Sequence, residues 1–229
     1  MNEVLILSGA GLSADSGLKT FRDNGGLWEE YDVMEVCSVG GFAKNRKKVL
    51  DFYDKRRAQL KDAKPNEAHF NIARLKSKFK DKISVLTQNV DDLLERAGCE
   101  DVIHLHGELT KLRCERCGEI FDIGYDGMNG KKCPKCRSEF LRHHVVMFGE
   151  MAPFYEILFQ RLNEMKLFVC IGSSGEVLDV ASYARIAKFS ILNNLSPSKI
   201  DKNFDKVYNE TAVNAAHKIY KDIEEFLSN

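Results

Sequence analysis

The sequence predicts an α/β fold, a parallel sheet covered by helices on both faces with a smaller domain inserted into it. Three observations carry that prediction. Short apolar runs alternate with segments of helical periodicity along most of the chain, the pattern of strand–helix–strand units. A glycine-bearing turn follows the first such run. The rhythm then breaks once, over residues 111–142, where Cys, Gly and Lys predominate.

Residues 3–8 read as a buried parallel strand, because Val4, Leu5, Ile6 and Leu7 leave no polar face. Residues 9–17 are then a turn and the start of a helix. Phe42, Val49, Phe52, Tyr53 and Leu60 fall near helical spacing and predict a helix over 42–60, with Pro65 ending the segment. A second helix is expected over 67–79, a strand over 82–86, a helix over 91–97 and a short strand over 101–105. Beyond the cysteine-rich stretch the expected order is helix 154–165, strand 167–171, helix 179–188, strand 189–193 and a closing helix 211–227. The chain then divides into a main domain of residues 1–30, 66–110 and 143–229, a helical insertion at 31–65 and a cysteine-bearing insertion at 111–142.

The 229 residues are enough to bury a proper core, and 44% hydrophobic with 30% charged is an ordinary globular balance. Thirty-four basic residues against 34 acidic ones argue against bulk nucleic-acid binding. No apolar run approaches the roughly 20 residues a membrane span needs, and residues 1–7 lack the parts of a signal peptide. A cytoplasmic, monomeric protein without membrane contact is expected.

Disulfides are then a poor explanation for seven cysteines. Cys114-x-x-Cys117 and Cys133-x-x-Cys136 lie fifteen residues apart, within zinc-ribbon spacing. Four thiolates make a closed tetrahedral site, so one structural zinc ion is predicted, with Gly118 and Pro134 suited to the knuckle turns. Cys37, Cys99 and Cys170 read as small buried apolar residues.

The turn Ser8-Gly9-Ala10-Gly11-Leu12-Ser13 only approximates G-x-G-x-x-G, because Ala14 stands at the last glycine position. Taken alone it is either a pyrophosphate cradle or a tight strand-to-helix turn. Asn89 or Asp91 after a strand reads equally as a helix N-cap. The wider string Gly9-Ala10-Gly11-Leu12-Ser13-Ala14-Asp15-Ser16-Gly17-Leu18-Lys19-Thr20-Phe21-Arg22 resembles the sirtuin signature. Thr87-Gln88-Asn89-Val90-Asp91, Leu105-His106-Gly107-Glu108, Gly172-Ser173-Ser174 and Asn194-Leu195 follow in the family's order. The resemblance runs from about residue 5 to 215.

It implies a Rossmann-type domain that takes NAD as co-substrate and acyl-lysine proteins as partners. The products would be nicotinamide, deacylated lysine and O-acyl-ADP-ribose. By resemblance, Gly9, Ala10, Gly11 and Ser13 hold the cofactor, Arg22 contacts its phosphates and Phe21 shields the reactive face. Gln88 binds the nicotinamide ribose, while Asn89 and Asp91 lie in the nicotinamide pocket. Gly172, Ser173, Ser174, Asn194, Leu195 and Ala212 complete the cofactor set. His106 is the catalytic residue, supported by Asn89, because an imidazole can take a ribose hydroxyl proton near neutrality. His104 is left to pack or face solvent.

Tyr53 and Arg56 share a helical face and resemble the Y-x-x-R pair of the subgroup that removes succinyl and malonyl groups. A guanidinium grips a carboxylate bidentately and a phenol adds a third bond. The substrate peptide is expected to pair as a strand between residues 145–150 and 175–177, touching Val146, Phe148, Gly149, Glu176 and Val177. Lys19, Leu94, His143 and Met147 depart from the family pattern at Pro, His, Pro and Trp positions respectively. Two other readings stay open. One is a zinc-ribbon nucleic-acid binder using the basic residues Lys44, Arg46, Lys47, Lys48, Lys55, Arg56 and Arg57; the other is a mono-ADP-ribosyltransferase.

Overall fold

The computed structural model of the chain describes residues 3–19 and 32–228. Its first strand, β1 (Val4–Ser8), is buried along its whole length. It pairs in parallel with β2 (Ile83–Thr87) on one side and β7 (Leu167–Ile171) on the other. The six-stranded sheet is completed by β3 (Ile103–His104), β8 (Phe189–Asn194) and β9 (Lys206–Asn209), all parallel, in the order β3-β2-β1-β7-β8-β9. Order reverses between β1 and β7, which is where a doubly wound sheet opens a crevice at its carboxyl edge.

Alternation along β1 explains how both faces are covered. Val4 and Ile6 pack with Ala68, Ile72 and Leu75 of α5 (Glu67–Phe79) and with Ile219 and Ile223 of α9 (Ala212–Ser228). Leu5 and Leu7 face the other way, with Leu158 and Leu162 of α7 (Tyr155–Glu164) and Val180 and Ala184 of α8 (Val180–Ile186). Asn66 starts α5 with a capping box, taking the N–H groups of Ala68 and His69 while His69 bonds back to the Asn66 N–H.

The expected helix over 42–60 is two helices. Asn45 leaves helical geometry at φ −146° and caps α4 (Arg46–Leu60) by accepting from the Lys48 N–H. It thereby separates α4 from α3 (Val39–Lys44). A one-turn α2 (Val33–Val36) precedes them, and α1 (Gly11–Ala14) and α6 (Leu93–Arg96) are equally short. Phe52, Tyr53 and Leu60 of α4 join Leu93, Leu109 and Met147 in a third apolar cluster beside the sheet edge.

A separate antiparallel sheet holds β5 (Ile120–Asp122), β4 (Gly107–Cys114) and β6 (Leu141–Val145) in that order. β4 runs through the expected boundary at 110/111 and β6 through that at 142/143, so the small sheet grows directly out of the main domain's segments. No helix among the described residues is long and apolar enough to cross a membrane.

Candidate active site

The turns after β1 and β7 interlock at the crevice. A Cβ on Gly9 would stand 2.6 Å from the Gly172 carbonyl oxygen, and one on Gly11 2.6 Å from the Gly172 Cα. Gly172 itself sits at φ +66°, and its Cβ would meet the Leu12 nitrogen at 2.4 Å. These glycines are therefore required by the contact of two backbones, tied by Gly9 N–H to Ile171 O at 2.9 Å and Gly11 N–H to Gly172 O at 3.0 Å. The side chains at the rim are drawn together in turn. Gln88 donates to Ser173 Oγ at 2.9 Å, and Asn194 donates to the Ser173 carbonyl at 3.0 Å. Ala10 and Ser174 edge the same turns, Leu195 is 60% exposed, and Ala212 is packed into the core with Ile219. Phe21 and Arg22 lie outside the described residues.

Ser13 is the hub of the crevice floor. Its hydroxyl donates to Asp91 Oδ2 at 2.9 Å and accepts from Asn89 Nδ2 at 3.1 Å. His69 Nδ1 takes the Asn66 backbone N–H at 3.2 Å, so the neutral ring carries its proton on Nε2, 3.3 Å from Ser13 Oγ. Burial pushes the His69 pKa down to about 4. Burial also raises the pKa of Asp91, against the bonds from the Leu93 N–H and Ser13. Asp91 stands one residue before the N-cap of α6, which is Asp92; its Oδ1 takes the Leu93 N–H at 3.2 Å while its Oδ2 faces Ser13.

Two histidines beyond β2 take opposite states. His104 Nδ1 is 3.0 Å from the Asn89 carbonyl oxygen and Nε2 2.8 Å from Glu95 Oε1. Both partners only accept, which makes the ring an imidazolium. Burial, its largest single influence, pulls the pKa down, but Glu95 more than offsets this and the net shift is upward. His106 Nδ1 is 3.1 Å from the Gln88 carbonyl oxygen, and Nε2 is 3.2 Å from Tyr155 Oη. Burial lowers its pKa, opposed by the Gln88 carbonyl, so the ring is neutral with its proton on Nδ1 and a lone pair on Nε2. His69 and Tyr155 are the residues the sequence argument did not single out. His69 falls three residues after Asn66 in a capping box, which was a visible signal; nothing local marks Tyr155.

The segment after β6 sits beside this centre. Phe148 donates its N–H to the Cys37 carbonyl at 2.8 Å and accepts from the Val39 N–H at 3.0 Å, and Val146 N–H reaches the His106 carbonyl at 2.9 Å. Arg142 fixes the bend by gripping Glu150 at 2.6 and 3.0 Å, while Glu150 also accepts from the Met147 N–H. Gly149 turns at φ +94°. Phe148 is 43% exposed, and Glu176 and Val177 are exposed on the facing loop. Tyr53 is buried, its ring 5.4 Å from that of His143, whose Nε2 bonds Asp54 at 2.9 Å. Arg56 is half-buried one turn along. Arg57 is fully buried and structural, donating to the Leu109 carbonyl at 2.6 Å and to Asp54 at 3.1 Å. Leu94, which departs from the family's usual His, is core.

The sulfurs of Cys114, Cys117, Cys133 and Cys136 all lie within 4.8 Å of one another, two pairs of them at 3.6 Å. Four thiolates around zinc at about 2.3 Å stand about 3.8 Å apart, so the set fits that ion. Each knuckle closes the same way, with Gly118 N–H on Cys114 O and Arg137 N–H on Cys133 O, both 2.9 Å.

Fold and site together define an α/β protein whose switch-point crevice joins interlocked glycine turns to a buried carboxylate and a neutral imidazole, beside a zinc-stapled small sheet. The Sir2 family model matches residues 9–179. An NAD-dependent protein deacylase of Campylobacter jejuni (strain RM1221) is 59% identical over 228 residues, covering 99% of this chain and 98% of that one. Among solved structures, a mutant Sir2 homologue in complex with ADP-ribose superposes with a TM-score of 0.88 at 33% identity, covering 99% of this chain and 93% of that one. A Sir2 homologue–NAD complex does so at 0.85 and 33%, covering 98% and 90%. The chain belongs to the Sir2 family.

Proposed function

We propose that this protein is an NAD-dependent protein lysine deacylase, and that the crevice between the β1 and β7 turns is its active site. The observation that carries the reading is the His106 ring, a neutral imidazole with its lone pair on Nε2 at the edge of the crevice. When bound, NAD supplies an activated ribose carbon that accepts the acyl oxygen as nicotinamide departs. The chain's part is to bind, orient and move protons. Gly9, Ala10, Gly11, Ser13, Gly172, Ser173, Ser174, Asn194 and Leu195 line the nucleotide side, with Arg22, Phe21 and Ala212 assigned there by resemblance. The Ser13–Asn89–Asp91 network presents Asp91 and Asn89 to the carboxamide, and Gln88 meets the ribose. His106 Nε2 takes the ribose hydroxyl proton, for which a burial-lowered pKa keeps the base form populated at neutral pH. The small domain, read as residues 31–65 and 111–142, walls the crevice and is held together by its zinc.

The finer specificity is read from α4. Tyr53 and Arg56 form an acyl pocket for a terminal carboxylate, so succinyl- and malonyl-lysine are substrates beside acetyl-lysine. The substrate strand lies between 145–150 and 175–177, against Val146, Phe148, Gly149, Glu176 and Val177. None of the seven cysteines is in a disulfide, and four of them form the zinc set, which fits a reducing, cytoplasmic setting. The test is nicotinamide release from matched acetyl- and succinyl-lysine peptides. His106→Ala should cost at least about 100-fold on both, and Arg56→Ala should cost about tenfold or more on succinyl alone. Equal losses on the two peptides would refute the pocket, and NAD-dependent turnover on neither would refute the deacylase reading.

A further inference from the structure

His106 is held at both ring nitrogens, and the two partners are not equivalent. The Gln88 carbonyl at Nδ1 can only accept, so it fixes the ring proton there. Nε2 is then a bare lone pair, and the Tyr155 hydroxyl 3.2 Å away must be the donor. Burial raises the Tyr155 pKa, so the phenol keeps the proton it donates. The two rings lie 6.3 Å apart, and Tyr155 also meets Phe159 edge-on at 6.5 Å. Among the described residues, no charged side chain is hydrogen-bonded or ion-paired to the His106 ring.

An imidazole nitrogen has one lone pair, so the Tyr155 hydroxyl and a ribose hydroxyl cannot both use Nε2. We infer that Tyr155 caps the base atom of His106 and must swing off it before the ribose proton can be taken, which makes Tyr155 a positioning residue for the reaction. The inference rests on the role given to His106 above. Its coupling to substrate follows from chain connectivity. Tyr155 opens α7, and residues 150–154 join it directly to the bend at Phe148 and Gly149. That connection is open to solvent, with Met151 93% and Phe154 38% exposed. A peptide that pairs along the bend therefore acts on the segment that ends at Tyr155.

The test is Tyr155→Phe, which removes the hydroxyl and keeps the ring against Phe159. The His106 titration is followed by imidazole NMR in protein without NAD or peptide, with His106→Ala assigning the resonance. A donor to the neutral ring disfavours protonation, so its loss should raise the midpoint by about 0.5 to 1 pH unit. Above that midpoint, kcat/KM should rise about 2- to 10-fold with kcat within about twofold, because the competing bond is gone. An unmoved midpoint would overturn the cap. A raised midpoint with kcat down tenfold or more would also overturn it, placing Tyr155 on the proton path instead. Absence of NAD-dependent turnover in the unmodified protein would sink the deacylase reading, while the NMR midpoint would still decide whether Tyr155 caps the ring.

Discussion

His104 and His106 stand two residues apart, yet one ring is an imidazolium and the other a neutral imidazole, because different segments meet them. Glu95, on α6, sets the charge of His104; the Gln88 carbonyl and a phenol on α7 set the neutrality of His106. Local sequence shows two histidines after an apolar run and nothing more, so only resemblance distinguished them. His104 has a folded pKa above its unfolded value. It therefore contributes stability that is complete below the unfolded pKa near 6.5 and fades as pH rises through the folded value. His69 works oppositely, since its pKa falls to about 4. It costs nothing above about pH 6.5, and stability is lost as pH drops from there towards 4. Glu95→Gln should destabilise by about 1 kcal/mol at pH 6, with the deficit shrinking above pH 8. Urea unfolding at the two pH values measures it, and a deficit that grows with pH would contradict the assigned charge.

Elements were legible in proportion to how completely burial dictates their residues. β1, β2 and β7 are buried along their whole length and mostly apolar, because both sheet faces are covered, and α5 begins and ends where its cap and periodicity say. β9 went unread because Lys206–Asn209 is an edge strand, partly exposed along its length and free of any apolar alternation. Asn45 was passed over because periodicity continues across it, although its side chain is a good cap. The zinc knuckles show the same contrast on a smaller scale. Gly118 stands at φ +76°, after Cys117, and Arg137 holds the matching place after Cys136 at φ +62°. A left-handed conformation costs a residue with a Cβ about 1 kcal/mol relative to glycine. Arg137→Gly should therefore raise the midpoint of chelator-induced unfolding, equivalent to about 1 kcal/mol, and Gly118→Ala should lower it by a similar amount. A destabilising Arg137→Gly would mean that the side chain contributes more than its backbone costs.

At the scale of the whole molecule, one side chain of the cysteine-bearing module ends next to Asp91. The Tyr125 hydroxyl donates to Asp92 Oδ2, while Asp92 Oδ1 is buried with no hydrogen-bond partner among the described residues. Arg96, on the next turn, is spent on the Leu60 and Ala63 carbonyls at 3.0 and 2.6 Å, and its NH1 stands 3.8 Å from Asp92. Spacing announced the metal, but nothing in residues 111–142 announced that Tyr125 reaches across to the loop after β2. β4, which runs from Gly107, one residue past His106, to Cys114, pairs with β5, and β5 ends three residues before Tyr125. Zinc removal should then be felt at the proposed co-substrate site, 91 and 92 being neighbours in the chain. Tyr125→Phe isolates this route, because it removes the one hydrogen bond that the Asp92 side chain makes among the described residues and leaves the four cysteines alone. A buried carboxylate that loses its hydrogen bond, with only the Arg96 ion pair left, costs about 1–3 kcal/mol, which should appear as a KM for NAD raised several-fold at unchanged zinc content. Chelation should raise that KM further, since it also frees β4 and β6. If chelation weakens NAD while Tyr125→Phe does not, the module acts through the β4 backbone, and the Tyr125–Asp92 bond only secures the domain's position.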